Sequence, residues 1–487
     1  METMSPLDAS FLHIEDAVTH MHIGSVGIFE GPAPSQDEAL GAVAAHLPLV
    51  PRYRQKVRFV PMELGRPVWV DDPHFRLDYH VRRTALPSPG GDQELRNLVG
   101  RVMSQQLDRA KPLWEMWLAE GLDHGRWALI SKTHHCMVDG VSATDLLSVM
   151  LDAEREAPPP PEDSWQPKPE PGTAGLVTHS LALRVGSPYE GMRTALAAVR
   201  GPRRLVRGAL DVGRGLVSLG QAVTPGRETS LNGPIGPHRC WDWARARLAD
   251  IKAIRQAYGG TINDVVLSAI TGGFRELLLS RGEAVQGRVV RTLVPVSVRA
   301  QHERGTYNNK VSAMFADLPV YLEDPVARLE EISDQMQRLK QSGQAVAAER
   351  LTALSGFAPA MLLALGGRVY TRTPQRAVNT VTTNVPGPQY PLYLRGRRML
   401  EAFPFVPLGG HVRVGVAIFS YDGNINFGVT GDRDTSSDIA VVCQGIERGI
   451  AELMPSGPAE PAVAETRADA PAPRADAPAA TEAEVSP

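Results

Sequence analysis

Proline sets the first constraint on this chain. The stretch EAPPPPEDSWQPKPEPG, residues 156–172, repeats a ring that fixes φ and carries no N–H, so neither a helix nor a central strand can run through it. The polypeptide must therefore be built on either side of a boundary. Before it, residues 1–155 alternate strand-like runs such as HIGSVGIFEG and RWALISKTHH with helical patterns such as DQELRNLVGRVMSQQLD, which predicts a mixed α/β domain. After it, from Thr173 to about Gly226, arginines from Arg184 to Arg214 stand among leucines, valines and alanines at helical spacing, opposed only by Glu190 and Asp211. This predicts a basic amphipathic region, so that residues 156–238 form a Pro-rich linker and a helical crossover.

Strand patterns return in residues 239–455, with RVVRTLVPVSVR and VRVGVAIFSYDGNINFGVTGD placed around the helical run INDVVLSAITGGFRELLL, and a second α/β domain is expected there. The last stretch, 456–487, repeats Ala, Pro, Asp and Glu with almost nothing large and apolar, and is expected to be disordered. A length of 487 residues agrees with two domains.

Charge and cysteine content exclude several classes. The formal net charge of −3 supplies no global field for nucleic acid, so no nucleic-acid partner is expected. Cys136, Cys240 and Cys443 are scattered and odd in number, which suggests neither a disulfide framework nor a cysteine-rich zinc site and suits a reducing cytoplasm. METMSPLDASFLHIED has acids where a secretory leader needs a basic segment, and no later run reaches the roughly 18 apolar residues of a membrane span.

The chemistry is concentrated in SKTHHCMVDGVSA, residues 131–143. RWALISKTHH reads as a buried strand ending at the histidines, and DGVSATDLLSVM as a turn feeding a helix. Side chains alternate on a strand, so His134 and His135 are expected to face opposite ways and not to act on one atom together. Adjacent histidines with one carboxylate four residues further on match no recognised metal-ligand spacing, so no metal is expected. Packing at a strand end is the plain alternative, but the His-His pair, the Asp-Gly turn and the small residues after it together favour a site at the mouth of a narrow channel.

HHCMVDG, residues 134–140, matches the HHxxxDG signature of CoA-dependent acyltransferases with the chloramphenicol acetyltransferase-like fold, a superfamily that includes the condensation domains of peptide synthetases. SPLDASFLHIED near the start, PLWEMWLAEGL at 112–122, INDVVLSA at 262–269, PVSVR at 295–299, NVPGP at 384–388 and SYDGNINFGVTGD at 420–432 narrow it. Together they resemble the bacterial wax ester synthase/diacylglycerol acyltransferase family from the N-terminus to about Met454. The resemblance implies two chloramphenicol acetyltransferase-like α/β domains joined by a crossover, with an active-site tunnel at their interface. It also implies transfer of a fatty acyl group from acyl-CoA, as co-substrate and without a cofactor, to diacylglycerol or a long-chain fatty alcohol at a peripheral membrane or lipid-droplet surface. His135 is then the general base, since imidazole titrates near neutrality and takes the proton of the attacking hydroxyl. His134 supports it, Asp139 is structural, and Gly140 and Asn263 are expected against substrate. An alternative is the same fold acting on a non-lipid hydroxyl or an amine. A non-catalytic lipid-droplet protein is the other, and it has no physical need for a histidine pair.

Other residues have plainer readings beside these. No GxSxG elbow is present, and Cys136 is expected on the other face of the strand from the base, as packing. Asn263 and Asp264 lie where a helix begins and would cap it. An amide there could also orient the acceptor or donate to an oxyanion. Trp114 and Trp117, three apart, would share a face on a helix and belong to the core. NVPGP, from Asn384 to Pro388, must be a stiff turn. Arg299, Arg52 and Arg54 compete as the buried partner of Asp139.

Overall fold

The computed structural model describes residues 1–137, 150–156, 162–186, 229–297, 311–341 and 377–455. In chain order the first half supplies β1 (Glu2–Thr3), α1 (Pro6–Ile14), β2 (His22–Phe29), α2 (Gln36–His46), β3 (Gln55–Arg58), β4 (Val68–Asp71), α3 (Leu77–His80), β5 (Val81–Ala85), α4 (Asp92–Met103), β6 (Trp114–Glu120) and β7 (Trp127–His134). Helix α5 (Thr173–Gly186) follows the proline stretch. The second half supplies β8 (Arg239–Arg247), α6 (Leu248–Tyr258), α7 (Ile262–Ser280), β9 (Val290–Ser297), β10 (Val311–Leu318) and α8 (Pro325–Gln341). It ends with β11 (Thr380–Pro386), β12 (Tyr393–Leu394), β13 (Arg397–Phe405), β14 (Val414–Tyr421), β15 (Asn424–Asp432) and α9 (Ala440–Glu452).

Two six-stranded sheets carry these elements, in the orders β12-β13-β2-β7-β6-β5 and β10-β9-β11-β14-β15-β8, beside a small sheet β1-β4-β3. The first sheet is therefore not made by the first half alone. Strand β13 leaves the second half and pairs antiparallel with β2, Phe403 opposite Val26 and Phe405 opposite Gly24. In the second sheet β11 runs parallel to both β9 and β14, while β14 and β15 form a hairpin. Its turn is Asp422-Gly423 with both φ positive (43° and 82°), the conformation that a two-residue hairpin turn requires.

The two sheets lock where β13 crosses β15. A Cβ on Gly428 would overlap the main-chain carbonyl of Pro404, and that same carbonyl accepts the Trp241 indole N–H at 3.2 Å. Trp241 and Trp243 of β8 share a buried core with Phe403 of β13 and with Val26, Ile28 and Ile130 of the first sheet. On the far side, α7 and α9 cover the second sheet and approach each other so closely that a Cβ on Gly445 would lie 2.7 Å from the Gly273 Cα.

Trp114 and Trp117 lie on strand β6 and not on a helix, so three-residue spacing sends them to opposite faces. Trp114 is buried, stacked on His80 with centroids 4.5 Å apart. Trp117 lies under the Arg82 guanidinium and donates its indole N–H to Glu115. A parallel β5–β6 pair followed by an antiparallel β6–β7 pair holds PLWEMW in extended form, overriding a helical reading. Of the basic region, the described part is α5, whose Leu176 is buried against Val68 and Val70 of β4. The rest of that region, and residues 456–487, lie outside the described residues. Among the described residues no helix is long and apolar enough to cross a membrane.

Candidate active site

Helix α1 prepares the site. Ser5 caps it by accepting the Asp8 N–H at 3.1 Å, and Pro6 follows at the first helical position, where a missing N–H costs nothing. The helix stops at Glu15, whose N–H donates to the Phe11 carbonyl at 3.1 Å. Phe11 and Glu15, four residues apart, thus project from the last turn of one helix, next to the turn that follows β7.

Strand β7 ends at His134 and the chain turns at once into a single 3-10 turn, His135–Met137. Main-chain bonds fix that change of direction. The His134 N–H donates to the Leu113 carbonyl at 2.9 Å and the His135 N–H to the Met21 carbonyl at 2.8 Å. The two imidazoles part company here: His134 is buried and His135 half-buried.

His134 faces a buried ionic cluster. It is in register with His22 of β2, and both rings aim Nε2 at one carboxylate, His22 at 3.3 Å from Glu15 Oε1 and His134 at 3.4 Å from Glu15 Oε2. These are long contacts for N–H···O bonds and act mainly through charge and dipole. The Arg109 guanidinium closes on Glu15 Oε2 at 2.6 Å. The other ring nitrogen of His134, Nδ1, accepts the Cys136 N–H at 3.1 Å, which places the His134 proton on Nε2, toward the carboxylate. Burial by itself raises the Glu15 pKa, but the His134 and His22 contacts outweigh it and hold the carboxyl well below the usual range. Burial pushes the His22 pKa down to about 3, with Glu15 pulling back only part of the way. The cluster therefore holds an ionised Glu15 and a neutral His22, with Arg109 as counter-charge. Among the described residues no group of three or more His, Cys, Asp or Glu is arranged to hold a metal ion.

His135 is held differently. Its ring stacks on Phe11 with centroids 4.0 Å apart and planes at 28°. Burial lowers its pKa to about 4, with its own main-chain carbonyl acting in the opposite direction. Nδ1 is sealed without a well-aligned partner, which leaves Nε2 as the nitrogen available to a proton donor. The ring is thus neutral near pH 7, the state a base requires. Cys136, fully buried beside it, has its thiol pKa pushed well up by burial and serves as packing.

In the other half, Asn263 lies in the first turn of α7. The Thr261–Asp264 capping box takes up the capping role, with Asp264 Oδ2 accepting the Thr261 N–H at 2.8 Å. Asn263 is free of that duty and accepts the Asn384 side-chain N–H at 3.3 Å. The structure thus joins INDVVLSA and NVPGP through their asparagines. Val385, next to Asn384, packs against the core cluster that contains Cys136 and Met137, so the two motif regions share one hydrophobic body. Asp139, Gly140 and Arg299 lie outside the described residues. Arg54 is buried and forks onto Asp163 of the proline stretch at 2.9 and 2.5 Å, while Arg52 bonds Gln55 and Glu2, so both are committed elsewhere.

Sequence reasoning missed Glu15, His22, Phe11 and Arg109. The available signal was the i, i+4 placement of Phe11 and Glu15 behind a Ser-Pro helix start. An acid on an otherwise apolar helix end reads as solvated until its partners, up to 119 residues away at His134, are brought in.

The overall architecture is found in solved structures. A starter condensation domain of a rhizomide synthetase superposes with a TM-score of 0.54 at 13% identity, covering 93% of this chain and 94% of that one. This likeness shows the chloramphenicol acetyltransferase-like two-domain fold. The wax ester synthase/diacylglycerol acyltransferase of Marinobacter aquaeolei VT8 superposes with a TM-score of 0.65 at 26% identity, covering 93% of this chain and 98% of that one. A probable diacylglycerol O-acyltransferase of Mycobacterium tuberculosis is 37% identical over 460 residues, 93% of this chain and 96% of that protein. A second from the same organism is 32% identical over 456 residues, 93% and 91% of the respective chains. The wax ester synthase/diacylglycerol acyltransferase catalytic-domain model matches residues 4–266, and the C-terminal-domain model of the same family matches 307–454. The chain belongs to the wax ester synthase/diacylglycerol acyltransferase family, and it is an acyltransferase.

Proposed function

We propose that this enzyme transfers a fatty acyl group from acyl-CoA to the hydroxyl of diacylglycerol or a long-chain alcohol, forming triacylglycerol or wax ester by direct attack. The acceptor oxygen bonds to the thioester carbonyl carbon as His135 Nε2 takes its proton. The tetrahedral intermediate then collapses, the C–S bond breaks, and the proton goes to the departing thiolate to give free CoA. The observation that carries this reading is a neutral, half-buried imidazole in the turn after β7, sealed on one nitrogen and left open on the other.

In this reading His134 supports the turn and Asp139 is structural, while Gly140 and Asn263 border the substrate in a tunnel between the two halves. An amide donor at Asn263 would stabilise the intermediate's oxyanion. No cofactor is needed, because the thioester already supplies the activated acyl group. The acceptors are lipids, so the enzyme would work at a membrane or lipid-droplet surface from the cytoplasmic side.

The test is CoA release with palmitoyl-CoA and either hexadecanol or a diacylglycerol, set against a soluble alcohol or amine. A lipid acceptor is expected to be preferred, and His135→Ala is expected to lose roughly a hundred- to ten-thousand-fold in rate. Preference for the soluble acceptor, or an active His135→Ala, overturns the reading.

A further inference from the structure

We propose that Glu15 is a positioning residue for acyl transfer: its ionised carboxylate fixes the proton of His134, and His134 in turn fixes the turn that presents His135. The proposal rests on His135 as the base. The chain of contacts is short and each link has a direction. Arg109 holds the carboxylate at 2.6 Å. Glu15 faces His134 Nε2 at 3.4 Å, a position that favours a proton on that nitrogen. Nδ1 is thereby left as an acceptor, and the Cys136 N–H donates to it at 3.1 Å. That N–H belongs to the residue after His135, inside the 3-10 turn. The tautomer of one imidazole is therefore coupled to the main-chain course of the next residue.

Glu15 is also tied to His135 along a second route. It ends the helix whose Phe11, one turn earlier, stacks on the His135 ring at 4.0 Å. A carboxylate is required and an amide would not serve. Both histidines present Nε2, to separate oxygens of the one carboxylate. A glutamine offers one acceptor and one donor, so one ring must give up its Nε2–H tautomer. If that ring is His134, its proton moves to Nδ1 and the Cys136 bond is lost. A shift of the base by about 1 Å costs on the order of a hundredfold in rate.

The experiment uses the full chain with Glu15→Gln, Glu15→Asp, His134→Gln and the Glu15→Gln/His134→Gln double variant. Kinetics with palmitoyl-CoA and hexadecanol are combined with 15N NMR of labelled histidines without substrate. Glu15→Gln is expected to lower kcat by about 10–100-fold with KM for palmitoyl-CoA within about twofold. The charge-preserving Glu15→Asp should recover a large part of that loss. The double variant should lose no more than His134→Gln alone, because the two act through one path. In the NMR spectra the parent His134 shows a protonated Nε2 and an acceptor Nδ1, and Glu15→Gln changes both the His134 and His135 resonances. If Glu15→Gln melts too low to assay, Glu15→Asp and the parent spectrum decide alone: an acceptor Nδ1 supports the coupling and a protonated Nδ1 overturns it. Full kcat in Glu15→Gln, or additive losses in the double variant, overturns it too. A parent that turns over no acceptor, with the resonance changes intact, defeats the acyl-transfer reading and leaves the coupling standing.

Discussion

The His135 imidazole lies on the Phe11 ring, centroids 4.0 Å apart and planes 28° from parallel. The stack shields one face of the ring from water and sets its tilt, contributing about 0.5–1.5 kcal/mol beyond simple burial. Phe11→Leu keeps apolar cover but loses the flat contact, and is expected to lower kcat by about 2–10-fold. Phe11→Ala opens the ring to water and should move the lower arm of the pH–rate profile upward, from near 4 toward 6.5. A profile for Phe11→Ala that overlays the parent would show that the stack does not set the environment of the base.

Acid should destabilise the protein in a definite window. His135 and His22 are depressed from 6.5 to about 4 and about 3, so as pH falls the unfolded chain takes protons before the folded one does. The stability they contribute is fully present above 6.5 and is lost between 6.5 and those lower values. Glu15, also depressed, contributes stability above its ordinary 4.5 that is lost below it, so all three act in the same direction. Urea midpoints at pH 7, 5.5 and 4.5 are expected to decline steadily, with a shallower decline in His22→Gln. A midpoint independent of pH over that range contradicts the assignment.

Much of the local structure was legible and the long-range pairing was not. Strand β7 ends at His134 as its apolar run implies, and α7 begins where Asn263 and Asp264 predict a helix cap, although Thr261 is the N-cap and only Asp264 shares the capping box. These depend on residues within a few positions of each other. The pairing of β13 with β2 joins Phe403 to Val26, and no pattern local to either strand names its partner. The same holds at the site: His134 and His135 do separate, but because the strand ends at His134 and a 3-10 turn begins at His135 rather than by alternation along one strand, and Glu15 and Arg109 act through folding of distant segments. Trp114 and Trp117 show local ambiguity, since their spacing fits a helix and only the neighbouring strands decide.

Gly428 provides a test of the crossing that joins the sheets. Its missing Cβ is the space occupied by the Pro404 carbonyl, and main-chain atoms of two strands, each held by pairing within its own sheet, cannot step aside as a flexible side chain would. Gly428→Ala is expected to cost at least about 1–3 kcal/mol, the usual scale for overpacking, and Gly428→Val more. The measurement is thermal melting. Melting of Gly428→Ala within a degree of the parent would mean that β13 and β15 do not approach so closely.

The Asn263–Asn384 pair separates two roles for the second half. If the Asn263 amide donates to the oxyanion, its Oδ1 needs an outside partner so that its NH2 points at substrate, and Asn384 supplies it at 3.3 Å. Asn263→Ala should then lower kcat by about a hundred- to a thousandfold, the scale for one oxyanion donor, while melting stays near the parent because Thr261 and Asp264 still cap α7. Asn384→Ala leaves the donor in place and frees only its orientation, so a smaller loss of about 3–30-fold is expected by the cost of imperfect alignment. Asn384→Asp should be worse than Asn384→Ala, because a carboxylate facing Oδ1 turns the amide round to present its oxygen to the intermediate. The order of kcat, parent above Asn384→Ala above Asn384→Asp, with Asn263→Ala far below the parent, is the expected result. Equal small losses in all three variants, with lowered melting, would assign both asparagines to structure alone.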